Sequence, residues 1–317
     1  MLGRTANDLF WLARYVERAE SMARLIEVGY RIALLPRDDD EGYNEEWRST
    51  LASAGCADGY AAKYETPNAR DVINYLLFDA SNPSSVQSCL SAARRNGRAQ
   101  RIALTRDMWE ALNDSWIEFS KIRPSDVTAN ELPGLLDWIR SRSALFRGAM
   151  LNTILRGDAY YFSQIGTFLE RADNTARILD VKYFVLLPEI EMVGSGVDNV
   201  QWAAILRSVS AHRSYRWVYK QNYRPWRIAE YLIFNRAMPR SLHACYDYIT
   251  ASLDGLIENC GSARHTCHET AHEMARFLSE GDINAVFQSG LHEFLVDFIA
   301  SNNRLGREIA EAYHFNG

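Results

Sequence analysis

Apolar positions recur every three to four residues over most of this chain, and the longest such stretch opens it. From Thr5 to about Leu35, at about 100° per residue, Trp11, Leu12, Tyr15, Val16, Ala19, Met22, Ala23 and Ile26 share one side of a helix, while Glu17, Glu20, Arg24 and Glu27 fall on the other. The pattern predicts a long amphipathic helix that Thr5 caps and that Pro36 and the acidic run Asp38–Gly42 terminate. A loosely patterned region with Gly55, Gly59 and Pro67 follows, then an apolar segment from Val72 to Phe78 that breaks at Ser81-Asn82-Pro83. Pro83 suits the first turn of a helix running through Val86, Cys89, Leu90 and Ala93 to a stop at Asn96-Gly97. Helices are predicted over Arg98–Phe119 and from Leu135 to about Leu155, joined by a connection containing Pro124 and Pro133.

The second half returns to the same order. A helix predicted from about Asp158 to Leu187 contains Glu170-Arg-Ala-Asp-Asn-Thr-Ala-Arg177, which repeats Glu17-Arg-Ala-Glu-Ser-Met-Ala-Arg24 without a gap. After a glycine-containing loop at Val193–Val197, Tyr231 to Leu242 matches Tyr75 to Val86, Cys245 falls on Cys89, and Asp137 to Ser141 matches Asp297 to Ser301, with Arg147 on Arg307. Repeated elements in constant order argue for duplication. The expected fold is all-α: two tandem helical repeats of about 155 residues, 1–155 and 156–317, in a pseudo-twofold arrangement within one compact helical domain. There is no run of alternating strands and no Gly-rich turn between a strand and a helix.

Composition narrows the classes of function. With 35 basic and 40 acidic residues in 317, and 47% hydrophobic content, the chain has no strong basic field to recommend DNA or an anionic membrane. Five cysteines form no Cys-x-x-Cys pair and are too sparse for a disulfide scaffold, so a reducing cytoplasm is expected. Charges at Arg4, Asp8, Arg14, Glu17 and Arg18 interrupt any signal-peptide core, and no later segment approaches the roughly 20 apolar residues of a membrane span.

The repeated signature carries the candidate chemistry. Glu17 and Arg24 lie two turns apart on one stripe, with Glu20 four residues before Arg24; Glu170, Asp173 and Arg177 repeat the spacing. One reading is a salt-bridge ladder. The sharper one brings Glu17, Arg24, Glu170 and Arg177 to the pseudo-twofold axis as a buried polar centre whose guanidinium forks bind an anionic or zwitterionic ligand. Arg18 and Arg171 sit about 100° from the preceding Glu and cannot face the same pocket from one helix face. Three weaker signals remain. His268-Glu-Thr-Ala-His272 matches the zinc-hydrolase pattern, with Glu269 as base and Glu293 available as third ligand, against a plain helix carrying two histidines. The aromatic-basic run Arg213–Arg227 could stack bases, although such tyrosines and tryptophans more often pack in a core. Pro239-Arg240-Ser241 reads as a helix start with Arg240 near an anion. No Walker loop, dinucleotide fingerprint or nucleophile elbow occurs, so neither ATP binding by this chain alone nor another cofactor is expected.

Asn152 to Ala159 with Phe168 to Asp180, Gln201 to Ser210, and Pro239-Arg-Ser241 after Glu230 to Phe234 resemble the bacterial alpha-E domain family, as do Arg4 to Glu20 and Met108 to Asn113. The resemblance spans nearly the whole chain. It implies an all-helical protein encoded beside a circularly permuted ATP-grasp protein and often a transglutaminase-like protein, acting on a peptide or amino-acid substrate in amide-bond formation or peptide modification. Two positions depart from the family: Thr167 where a basic residue is common, and Arg94-Arg-Asn96 where Arg-Glu-Asn is common. Two functions are expected from this. The first is a substrate-binding or scaffold subunit for the ATP-grasp ligase. The alternative is an enzyme with Glu17 or Glu170 as general base and Arg18, Arg24, Arg171, Arg177 and Arg240 holding the substrate carboxylate.

Overall fold

The computed structural model describes residues 1–34, 45–185, 196–220 and 223–315, with side chains at all of these but 45, 181–185 and 196–198. Among the described residues every regular element is helical, and no strand occurs. The first half holds α1 (Gly3–Ala33), α2 (Glu45–Ser53), α3 (Ala57–Ala61), α4 (Ala69–Leu77), α5 (Val86–Ala99), α6 (Arg106–Phe119) and α7 (Leu132–Thr153). The second holds α8 (Asp158–Val185), α9 (Gly196–Ser208), α10 (His212–Tyr219), α11 (Pro225–Ile233), α12 (Leu242–Cys260), α13 (Thr266–Glu280), α14 (Ile283–Ser289) and α15 (Leu291–Ala312).

Helices α1 and α8 cross at the centre, and most other helices wrap them: α5, α7, α2 and α9 against α1, and α12, α15, α2 and α11 against α8. One apolar core runs through both halves, from Phe10 and Ile26 in α1 through Ile165 and Ile178 in α8 to Ile249, Phe298 and Phe315. A second, smaller core joins Leu9, Leu12 and Val16 to Met108, Leu112, Phe146 and Met150 of α6 and α7. The expected amphipathicity of α1 is therefore corrected. Packed upon by helices on both its apolar and its polar sides, it buries Glu17, Glu20, Arg24 and Glu27, while Trp11 and Tyr15 of the predicted apolar side are only partly buried.

Several predicted boundaries move, each for a local reason. Thr5 does not cap α1, which starts at Gly3; its hydroxyl donates to Gln100 Oε1 instead. Pro83 lies ahead of α5, whose cap is Ser85 accepting from the Ser88 amide, just as Ser241 caps α12 by accepting from Ala244. Asn96-Gly97 does not stop α5, which continues to Ala99, so the helix expected over Arg98–Phe119 begins only at Arg106. Gly97 is there for space: a Cβ would sit 2.7 Å from Leu112 and 3.1 Å from Leu12. The region around Gly55 and Gly59 folds as α2 and α3. The terminator at Pro36 and Asp38–Gly42 lies outside the described residues, as does the end of α8 predicted at Leu187. So does the predicted loop at Val193–Val197 up to Gly196, where α9 begins.

The α1–α8 crossing is close enough that one glycine sets it. A Cβ on Gly166 would lie 2.3 Å from the Phe10 carbonyl oxygen, a backbone atom that cannot swing away. Gly166→Ala is expected to push the two central helices apart and cost about 1–3 kcal/mol, the range for overpacking a tight core. Urea denaturation of the variant against the natural chain measures this, and Gly148→Ala, inside α7 with open space around it, should instead stabilise by about 0.5–1 kcal/mol, the advantage of alanine over glycine in a helix.

Candidate functional site

The repeated signature meets itself at the crossing. Glu17 on α1 accepts from Arg171 on α8 at 3.0 Å to each oxygen, and Glu170 on α8 accepts from Arg18 on α1 at 2.5 and 3.0 Å. Each Glu-Arg pair thus reaches across to the other. Because Arg18 is turned about 100° from Glu17, the glutamate and arginine of one helix cannot pair with each other, yet each points to the complementary group opposite. The expectation that Glu17, Arg24, Glu170 and Arg177 form the centre is corrected on this point. Arg18 and Arg171 occupy it, and Arg24 and Arg177 lie further along.

Those outer arginines do matched work. Arg24 donates to Glu20 one turn before it, at 2.6 and 3.0 Å, and to the Ser208 carbonyl and Ser210 hydroxyl, the latter at 3.1 Å. Arg177 donates to Asp173 one turn before it, at 2.6 and 3.4 Å, and to the Ser53 carbonyl at 3.3 Å. Ser208 and Ser53 are the last residues of α9 and α2. Each guanidinium therefore supplies a cation and a donor to the C-terminus of a helix, where unpaired carbonyls and the dipole favour both. The turns beyond these helices also match, with Gly55 at φ +66° and Ser210 at φ +58°. Ser210 bears the cost of a left-handed conformation that glycine would escape, and its hydroxyl meets Arg24.

Three further arginines complete the network without matching partners. Arg240, just before α12, donates to Glu17 at 3.0 Å and also to Glu20. Arg147 of α7 donates to Glu17 at 2.9 Å and to Glu20 at 2.5 Å. Arg14 donates to Glu170 at 2.7 Å. Arg240, read as an anion contact, does hold an anion, but the anion is the protein's own pair of glutamates. Arg14 and Arg147 were missed by sequence reasoning. Arg14 did carry a signal, since it precedes Arg18 by one turn and so faces the same carboxylate. Arg147 carried a misleading one, because its sequence match, Arg307, is exposed. Thr167, the departure from the family pattern, donates to the Ser163 carbonyl within α8, and Arg94 donates to Asn113.

Burial and charge set the proton affinities. Glu17 and Glu170 are 1% and 4% exposed. Burial alone would raise their pKa, but Arg171, Arg147 and Arg240 hold Glu17 well below the usual carboxylate range, and Arg18 and Arg14 bring Glu170 to about 2. Burial opposes ionisation of Glu20 as well, and Arg240, Arg147 and Arg24 bring it to about 2. On the cationic side, burial lowers Arg240 to about 10 against the pull of Glu20. Carboxylates so saturated have almost no proton affinity at neutral pH, which argues against the general-base role expected for Glu17 and Glu170.

The other sequence signals resolve into packing. His268 is fully buried, accepting the His265 amide at Nδ1, while His272 Nε2 meets Asp254 at 3.0 Å. Among the described residues no three His, Cys, Asp or Glu side chains gather as a metal would need, so the alternative trio of His268, His272 and Glu293 does not assemble. In the aromatic-basic run, Tyr215 is buried against Tyr219 and Tyr231, much as Tyr60 packs on Tyr64 and Tyr75 in the first half. Trp217 is 80% exposed, and residues 221 and 222 of the run lie outside the described residues. No helix among the described residues is long and apolar enough to cross a membrane.

A family model, Alpha-E, described as a predicted alpha-helical domain with a conserved ER motif, matches residues 1–314. This chain carries Glu-Arg twice, at Glu17-Arg18 and Glu170-Arg171, the two dipeptides that pair across the α1–α8 crossing. Uncharacterized proteins of Mycobacterium bovis and Mycobacterium tuberculosis are 22% identical over 323 residues, covering 97% of this chain and 36% of theirs. The chain therefore spans about a third of the length of these curated relatives. No solved structure matches.

Two outcomes follow from the network. Glu17→Gln leaves Arg171, Arg147 and Arg240 facing a neutral group, and should cost about 3–5 kcal/mol in urea denaturation, the range for breaking a buried pair. The folded carboxylates also lie below their ordinary value of 4.5, so their stabilisation is complete above that pH. It should be lost as pH falls from about 4.5 towards about 2. Urea midpoints at pH 7, 4 and 3 measure the decline, which should be shallower in Glu17→Gln.

Proposed function

The chain belongs to the Alpha-E family, and from that premise we propose that it is a substrate-binding or scaffold subunit working with an ATP-grasp ligase in amide-bond formation or peptide modification in the cytoplasm. The observation that carries this reading is the saturation of the signature. Glu17 and Glu170 are enclosed by arginines and held ionised, so the residues that mark the family serve to hold the fold, and bond-making chemistry is left to a partner. The length of the mycobacterial relatives supports the same view, since most of each lies outside the part that this chain matches. A transglutaminase-like protein is a further partner in this proposal. We also propose that the halves 1–155 and 156–317 arose by duplication. The crossed Glu-Arg pairs, the matched caps on α2 and α9 and the matched tyrosine clusters support it.

The test is reconstitution. The chain and the ATP-grasp protein encoded beside it are incubated, separately and together, with ATP and a pool of amino acids and short peptides, and ADP release and new amide products are measured. Product formation only in the mixture is expected. Turnover by the isolated chain would overturn the scaffold reading in favour of direct acyl chemistry.

A further inference from the structure

The second half departs from the first where α13 and α15 meet. In the first half α6 and α7 close on each other through Met108 and Leu112 against Phe146 and Met150. In the second half α14 stands between the corresponding helices in the chain, and a cleft of about 460 Å³ lies between α13 and α15. That is within the size range of small-ligand sites.

Its walls are apolar and aromatic. Phe294 faces Phe277 with ring centroids 6.1 Å apart and Phe298 at 6.4 Å, and Met274 lines the same cleft. Phe277 is 48% exposed, an unusual share for a ring that has a cleft to fill. Around this surface stand three carboxylates, Glu273, Glu293 and Asp297, against one guanidinium, Arg304. Glu273 and Asp297 have no hydrogen-bond or ion-pair partner among the described residues, in contrast to the saturated carboxylates of the α1–α8 crossing. Glu293 is folded back over Gly290 at the start of α15, where a Cβ would fall 2.0 Å from its oxygen.

We propose that this cleft binds an ammonium group carried on an apolar body, such as the free amino terminus of a peptide whose first side chain is hydrophobic. The apolar body fills the space between Phe277, Phe294 and Met274. The ammonium lies at the rim, where Glu273 and Asp297 neutralise it and the aromatic faces add attraction for a cation. An anionic ligand is disfavoured by the same carboxylates, and an uncharged one gains only the apolar contact. The identification of this ligand with the amine that accepts an acyl group rests on the function proposed above. The site itself rests only on the cleft.

Calorimetric titration of the full chain at low salt tests this with three probes of similar body: phenylalaninamide, its N-acetyl derivative and 3-phenylpropanoate. Phenylalaninamide should bind, with the acetylated and anionic probes at least tenfold weaker. Glu273→Gln with Asp297→Asn should remove most of that difference, and Phe277→Ala should weaken binding of the amine severalfold. All three substitutions are at exposed positions, and circular dichroism checks that the variants stay folded. No heat with phenylalaninamide at millimolar concentration, equal binding of the acetylated probe, or binding unaltered in the folded variants would overturn the site. Amine binding that survives while the reconstituted mixture stays inert would remove the ligase partnership and leave the site standing.

Discussion

Four acidic side chains in the middle of this protein are largely withdrawn from water, and the rest of the fold is arranged so that each has a guanidinium within hydrogen-bond distance. Glu17, Glu20, Glu170 and Asp173 lie along α1 and α8, the two helices that most of the others wrap. An isolated charge taken from water into such a place costs several kcal/mol even after relaxation, so the crossing is tolerable only in a register that satisfies all four at once. Sliding α8 along α1 by one turn would separate Glu17 from Arg171 and Arg18 from Glu170 together. The network is thus better understood as fixing the register of the crossing than as adding net stability. An apolar replacement of equal volume could be as stable while specifying the alignment less tightly.

The same demand explains why the network is uneven. Glu17 and Glu20 are close neighbours on one helix and raise each other's cost of ionisation, so Arg171 and Arg24 are joined by Arg240 and Arg147 from two other elements. Asp173 lies nearer the surface and is served by Arg177. Burial then falls on the cations in turn. Arg240, fully enclosed and beside Arg24 and Arg171, is pushed down to about 10 although it touches two carboxylates. A guanidinium at that value is still charged at neutral pH, so the centre keeps its electrostatic character across the physiological range.

Helical periodicity made the all-α class legible, and the ungapped match of Glu17–Arg24 to Glu170–Arg177 located the two central helices and the family signature. Periodicity could not say which side of α1 faced solvent, because its polar stripe records internal partners while the partly exposed stripe carries Trp11 and Tyr15. Nor could spacing along one helix reveal the crossed pairs: Arg18 meets a residue half a chain away, so its bearing relative to Glu17 looked like a reason to exclude it from the centre. Gly97 shows the same limit at smaller scale. Next to Asn96 it has the composition of a helix stop, yet the helix runs past it to Ala99, and Leu112 and Leu12 approach too closely there for a side chain. In each case the deciding neighbour comes from another element.

The contrast between the two kinds of carboxylate separates structure from recognition in this molecule. Where the two passages of the chain agree in sequence, as at Glu17-Arg18 and Glu170-Arg171, the charges are paired with each other and the carboxylates offer a ligand no acceptor of useful proton affinity. Where α14 stands between α13 and α15, Glu273 and Asp297 line a cleft with no hydrogen-bond or ion-pair partner among the described residues. An exposed carboxylate beside an apolar wall, with no partner of its own, is open to whatever approaches it, and in a fold so thorough in pairing its buried acids, that difference places recognition at this edge and not at the matched centre.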